Sequence, residues 1–240
     1  MIVGWGSSVG PSPDASAFAA IAAQLQCQTD EDTAARTIAR RALELVGEAL
    51  HVSLTISTAE GRYETLASTD HTATSADLLQ YELGEGPCVE VAECVSWFRS
   101  GDVTVDPRWP RWGPGAGGLG LRSVLAVRLV TPGQDTQGAL NFYSPDVGAF
   151  AEPETVDLAQ VYAVHAANAL SSAHLATGLQ TALTSRHTIG LAQGILMERY
   201  GLDQHRSFEL LRRTSSSQNV KLRDVAAAVV ETGVLPGRQT

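Results

Sequence analysis

The sequence predicts an α+β protein, in which an antiparallel sheet with flanking helices is joined by a long helix to a small bundle of three helices. Three observations predict it. Between residues 52 and 144, two pairs of β-type runs are separated by turn residues. After Pro153 no proline and few breakers occur up to Arg199, so one long helix accounts for that segment. Two short amphipathic runs follow, set apart by glycine and by a polar cluster.

Residues 1–14 are small and polar, as in a disordered terminus, and residues 15–27 and 31–50 read as helices. In the second helix Thr29 or Asp30 caps the start. Ala34, Ile38, Ala42, Leu45, Val46, Ala49 and Leu50 then recur at i, i+3/i+4 spacing. Val52-Ser-Leu-Thr-Ile-Ser-Thr58 switches to a period of two, apolar against hydroxyl, as in a strand buried on one face. Glu60-Gly61 turns the chain into a second strand, Tyr63–Ala67. A short helix over 73–81 comes next, and then the Gly84-Glu-Gly-Pro87 turn opens another. The proline and glycine content of 101–120 makes it a long connection holding one short helix. Ser123–Val130 and Gly138–Ser144 form the second hairpin, turned at Pro132-Gly-Gln-Asp135. In the long helix, Leu158, Val161, Tyr162, Val164, Ala166, Ala169 and Leu170 supply apolar surface. Its many alanines permit close helix packing, in a homodimer or against the sheet.

The chain has 240 residues and a net charge of −9, unevenly spread. Residues 1–178 hold 9 Lys+Arg against 21 Asp+Glu, and residues 179–240 hold 8 against 5. An acidic body repels nucleic acid, and a basic tail attracts it. Three cysteines (Cys27, Cys88, Cys94) do not make a disulfide framework, no basic-then-apolar leader opens the chain, and no apolar run would span a bilayer. The expectation is a cytoplasmic protein with no membrane partner. No Cys/His pattern calls for a metal or a cofactor.

In the tail, Ile189, Ala192, Ile195, Leu196 and Leu183 share a helix face, and Gly201 stands where a C′ glycine would end the helix. In the next helix Phe208, Leu210 and Leu211 are expected to face inward, with Arg212 and Arg213 in its last turn. The third places Leu222, Val225, Ala226, Val229 and Val230 on one face. Lys221, the only lysine in the chain, and Arg223 stand at its start, against the helix dipole. Exposed positive charge required by function would explain them, and ordinary solvated charges would too.

Arg186, the Ala192-Gln-Gly-Ile-Leu-Met197 run, Phe208, Leu211-Arg212, Ser215 and Leu222-Arg-Asp-Val-Ala226 together resemble the ANTAR family of transcription antitermination regulators. The match covers about residues 180–235, with Gln193 where the family often has Lys and Ser207 where it often has Ala. The resemblance implies a three-helix bundle, over 176–235, that binds paired RNA stem-loops in leader transcripts as a homodimer. The candidate RNA contacts are Arg186, Gln193, Gly194, Arg212, Arg213, Lys221 and Arg223, with Ala192 giving close approach. Residues 236–240 are a tail.

Upstream, the element order and the Leu83-Gly-Glu-Gly-Pro-Cys88 turn resemble the GAF family of small-molecule sensor domains, with the domain over 15–175. This implies a ligand pocket on one sheet face under the Pro/Gly-rich connection. Trp109 and Trp112 would line it and Asn141 and Tyr143 would give polar groups at its floor; the alternative is that both tryptophans fill space. Cys88 is a buried thiol or, with Cys94, a redox sensor. Two other readings remain: a redox or ligand sensor whose tail docks a protein or DNA, and a GAF-fold methionine sulfoxide reductase. The absence of a matching cysteine constellation disfavours the reductase. A lack of base-reading polar residues at the start of the second tail helix disfavours DNA.

Overall fold

The computed structural model describes residues 23, 25, 30–58, 61–93, 96–130 and 137–236. The terminal segment 1–14, most of the helix expected at 15–27, the turn at 132–135, Cys94 and residues 237–240 lie outside them. The chain divides into two compact units, Met1–Leu175 and Ala176–Thr240.

In the first unit α1 (Glu31–Leu45) starts at Asp30, whose carboxylate accepts from the Thr33 amide at 2.8 Å. It ends at Leu45, short of the expected Leu50, which is exposed. The strands β1 (His51–Ser57), β2 (Tyr63–Ser68), β3 (Trp97–Ser100), β4 (Ser123–Val130) and β5 (Gln137–Ser144) form one sheet in the order β2-β1-β5-β4-β3. Every neighbouring pair is antiparallel. β3 is the element missing from the sequence reading. It is four residues long, and only its pairing with β4, from Trp97↔Val127 to Ser100↔Val124, identifies it.

One sheet face carries Val52, Leu54, Leu125, Val127, Leu140 and Phe142. It packs on Ile38, Ala39 and Ala42 of α1 and on Ala159, Tyr162, Ala163 and Ala166 of α5 (Pro153–Tyr200). The Tyr162 hydroxyl donates to the Ile38 carbonyl at 2.8 Å, tying the two helices together. The opposite face, where the strand was read as only half-buried, is covered as well. Ser53 and Thr55 are fully buried, under α2 (His71–Leu83) and α3 (Pro87–Glu93), and α4 (Trp112–Gly118) packs on α2. β1 is therefore buried on both faces, and its period of two separates an apolar layer from a hydroxyl layer.

The turn into α3 is built from its sequence. A Cβ on Gly86 would strike the Gln80 side chain, and Gln80 Oε1 accepts from the Cys88 amide at 2.8 Å. Glu85 accepts from the amides of Arg111 (2.7 Å) and Trp112 (2.8 Å), which anchors α4 across the sheet face.

The second unit contains the C-terminal part of α5, α6 (Gln204–Gln218) and α7 (Leu222–Thr232). Gly201, at φ +60°, ends α5 where the sequence placed a stop. Ala192, Leu196, Leu211, Val225, Ala226, Val229 and Leu235 form its core. Leu183, Phe208 and Val230, expected to face inward, are exposed instead. In α6, Ser207 and Leu211 take the inward positions, and the Ser207 hydroxyl donates to the Gln204 carbonyl at 2.9 Å. Among the described residues no helix is long and apolar enough to cross a membrane.

Candidate functional site

The three-helix unit presents most of the expected contact residues at its surface. Arg186, Gly194, Arg212, Arg213, Lys221 and Arg223 are exposed, and Gln193 is partly buried. Ala192 is a correction. Its methyl is wholly enclosed by the bundle core, so it spaces α5 from its neighbours and offers no surface to a ligand. The cations also differ in freedom. Arg212 is paired with Glu209 at 2.6 Å on its own helix, Arg206 with Asp203 at 3.5 Å, and Arg223 lies 3.4 Å from Asp224. Among the described residues Arg186, Arg213 and Lys221 have no acidic partner, which leaves their charge available.

α6 also starts earlier than the sequence reading placed it. Asp203 caps it through the Arg206 amide at 2.7 Å, so Gln204, His205 and Arg206 occupy its exposed first turn. The polar helix start whose absence argued against base readout is therefore present. The overlooked signal was Asp203, a capping residue directly after Gly201-Leu202.

The first unit holds a second cluster that the sequence reading missed. Asp77 of α2 is fully buried, on the helix face that also carries Ala73, Ala76 and Gln80. Its carboxylate accepts from Tyr143 OH (2.6 Å), Ser53 Oγ (2.9 Å), Thr65 Oγ1 (2.9 Å), Asn141 Nδ2 (3.3 Å) and Thr55 Oγ1 (3.4 Å). Among the described residues no cation belongs to the cluster, and burial pushes the Asp77 carboxyl up to about 6, against the opposing pull of these hydroxyls. Tyr81 OH joins Thr55 and Thr65, each at 2.8 Å. Gln80 Nε2 donates to Tyr143 OH at 2.9 Å. Asn141 Oδ1 is buried without a partner.

Asn141 and Tyr143, expected at the floor of a pocket, are thus bonded to protein groups. Trp109 and Trp112 do not line free space. Both are fully buried, with rings 5.7 Å apart and edge to face; Trp109 Nε1 donates to Glu90 at 2.7 Å and Trp112 Nε1 to the Ala76 carbonyl at 3.1 Å. Their own rings occupy the space under the long connection.

Cys88 lies beside this cluster, fully buried, and its thiol is pushed up to about 12 by burial and by the charge of Asp77. A buried thiol so far from ionising favours the reading of Cys88 as a buried thiol. With Cys27 and Cys94 replaced by serine, the native protein is expected not to react with Ellman's reagent at pH 8, and to release one thiol per chain in urea. Prompt reaction of the native protein would show that Cys88 is accessible and ionisable. Among the described residues no group of three His, Cys, Asp or Glu side chains could hold a metal.

A family model described as the GAF domain matches residues 28–171, and one described as the ANTAR domain matches residues 177–230. No curated protein matches the chain in sequence. Among solved structures, the GAF domain of a phosphoenolpyruvate-protein phosphotransferase from Coxiella burnetii is 18% identical, with a TM-score of 0.56. That match covers 69% of this chain and 96% of the other. The GAF domain of an Acinetobacter phosphoenolpyruvate-protein phosphotransferase is 12% identical over 67% of this chain and 93% of the other, at 0.52. The GAF domain of cyanobacteriochrome TePixJ is 16% identical over 63% and 96%, at 0.51. At these identities the likeness is one of fold.

Proposed function

Since the chain belongs to the GAF domain family and carries an ANTAR domain behind it, we propose that it is a cytoplasmic transcription antitermination regulator that binds paired RNA stem-loops in leader transcripts as a homodimer. An ANTAR domain is an RNA-binding antitermination domain, and a GAF domain a sensory or dimerising one. The pair makes the chain regulatory rather than catalytic. The observation that carries the reading is the set of unpaired cations Arg186, Arg213 and Lys221 on the three-helix unit of a chain whose net charge is −9. Such charges have a use at a phosphate backbone and none in the bundle's own packing.

For the GAF unit, dimerisation is supported by α5. Val161 and Val164 are 51% and 56% exposed, and from Leu158 to Ser185 the helix carries no Asp, Glu, Lys or Arg. Loss of charge marks the centre of protein interfaces. A second reading, a small molecule sensed at the Asp77 cluster between Asn141 and Tyr143, is favoured by the unpartnered Asn141 Oδ1.

A mobility-shift titration tests the function, using an RNA with two stem-loops bearing hexanucleotide loops, beside a duplex DNA of equal length. The RNA is expected to bind, with affinity falling as salt rises. Arg213→Ala/Lys221→Ala should weaken binding and reduce the log–log salt slope by about 1.5. Light scattering of the same sample should give the mass of a dimer. Equal or tighter binding to the DNA, or no RNA binding at low salt, would overturn the reading.

A further inference from the structure

We propose that Phe208 is the stacking platform for one unpaired RNA base, with Gln193 and Gln204 at the base edge and His205 and Arg213 on its phosphate. The inference rests on the RNA-binding reading above and assigns a residue that reading did not use. Phe208 is 37% exposed and takes no part in the core of the three-helix unit, where Ser207 and Leu211 fill the inward positions of α6. An aromatic ring outside the core, with over a third of its surface open, is available to a ligand.

Its surroundings fit a nucleotide. Phe208 lines an open depression with Gln193, Asp203, Gln204 and His205. Gln193 Nε2 donates to the Gln204 carbonyl at 3.0 Å, which fixes the amide and leaves Oε1 to accept. A second depression on the same helix is lined by His205, Arg206, Glu209 and Arg213, so His205 borders both. At about 100° per residue, Gln204 lies about 40° to one side of Phe208 around α6. Arg212 and His205 lie about 40° and 60° to the other, with Arg213 beyond them. A π face with amides at its edge therefore adjoins a polar strip of His205, Arg212 and Arg213, in which Glu209 is engaged by Arg212, the pairing a splayed base and its phosphate require. A protein side chain seeking apolar cover would meet instead a lone ring in a depression lined by Gln193, Asp203, Gln204 and His205.

The test uses the full chain and the two-stem-loop RNA, with each loop base replaced in turn by an abasic site. Phe208→Ala should lose about 5- to 150-fold in affinity for the intact RNA, the range measured for one stacked base. Its salt slope should match wild type, since no phosphate contact is removed. Phe208→Tyr should restore binding. Against one particular abasic RNA, wild type and Phe208→Ala should bind equally, because the stacked base is already gone. Wild-type affinity in Phe208→Ala, while Arg213→Ala/Lys221→Ala loses binding, would overturn stacking and leave the RNA reading standing. A duplex DNA bound as well as the RNA, or no binding by wild type, would overturn both. Phe208 is exposed, so an unchanged thermal melt is expected for the variant.

Discussion

Asp77→Ala is expected to destabilise the GAF unit by about 3–5 kcal/mol at pH 5, where the wild-type carboxyl is largely protonated and the loss of a buried charge is not at issue. The cost has two sources: donors from Ser53, Thr65, Asn141 and Tyr143 lose their acceptor in the buried interior, and the missing carboxyl leaves a void. Asp77→Asn should behave in the opposite way at higher pH. The folded carboxyl is raised from 3.8 to about 6, so the native state holds the proton more tightly than the unfolded chain. The stability gained from that proton is complete below about pH 4 and is lost as pH rises through 6. The displacement corresponds to about 3 kcal/mol. The amide keeps the shape and removes the charge. The variant should therefore lack this pH dependence and be at least as stable as wild type at pH 7.5. All four tryptophans lie within residues 1–175, so urea unfolding followed by tryptophan fluorescence reads this unit. An alanine variant as stable as wild type at pH 5, or an Asn variant with the wild-type pH slope, would remove Asp77 from the centre of the cluster.

The second large effect is expected at Trp112. It is fully buried in one cluster with Ala73, Ala76, Val103, Trp109, Ala116, Leu121, Val124 and Tyr143, and its indole N–H is satisfied by the Ala76 carbonyl. Trp112→Ala removes the largest side chain from a layer that is mostly alanine and valine, which can collapse little. The expected cost is about 3–5 kcal/mol. Trp112→Phe keeps most of the volume and loses the hydrogen bond, so about 1–2 kcal/mol is expected. If the tryptophan lined an open ligand pocket, alanine would cost much less. A loss below about 1 kcal/mol in urea unfolding would favour that reading.

The element order was legible because each signal is local. The switch of period at Val52, the Asp30 cap, the long proline-free stretch and Gly201 all act within a few residues of where they stand. What could not be read depends on partners distant in sequence. β3 exists because Trp97–Ser100 pairs with β4, about 27 residues on. Ser53 and Thr55 read as the less buried side of a half-buried strand because nothing in their own strand announces the covering helices. Asp77 was hidden in a short helix, although Ala73, Ala76, Asp77 and Gln80 recur at helical spacing and mark a buried polar stripe. At the candidate nucleic-acid surface most cations were found from the sequence. Phe208 was misplaced because its class favours the interior, and only the burial of its neighbours Ser207 and Leu211 shows the core complete without it.

Burying β1 on both sides has a consequence for how the sheet avoids misalignment. In a sheet with one wet face, a strand that slips by one residue exposes apolar side chains and buries polar ones on a single side. Here a slip of β1 against β5, away from Val52↔Phe142 and Leu54↔Leu140, would put Ser53 and Thr55 among aliphatic side chains and Val52 and Leu54 against the Asp77 carboxylate. Both layers would be wrong together, and both are buried. The alternation of hydroxyl and aliphatic residues in β1 thus acts as an alignment code read from two sides, and it makes the correct pairing the only one that satisfies both.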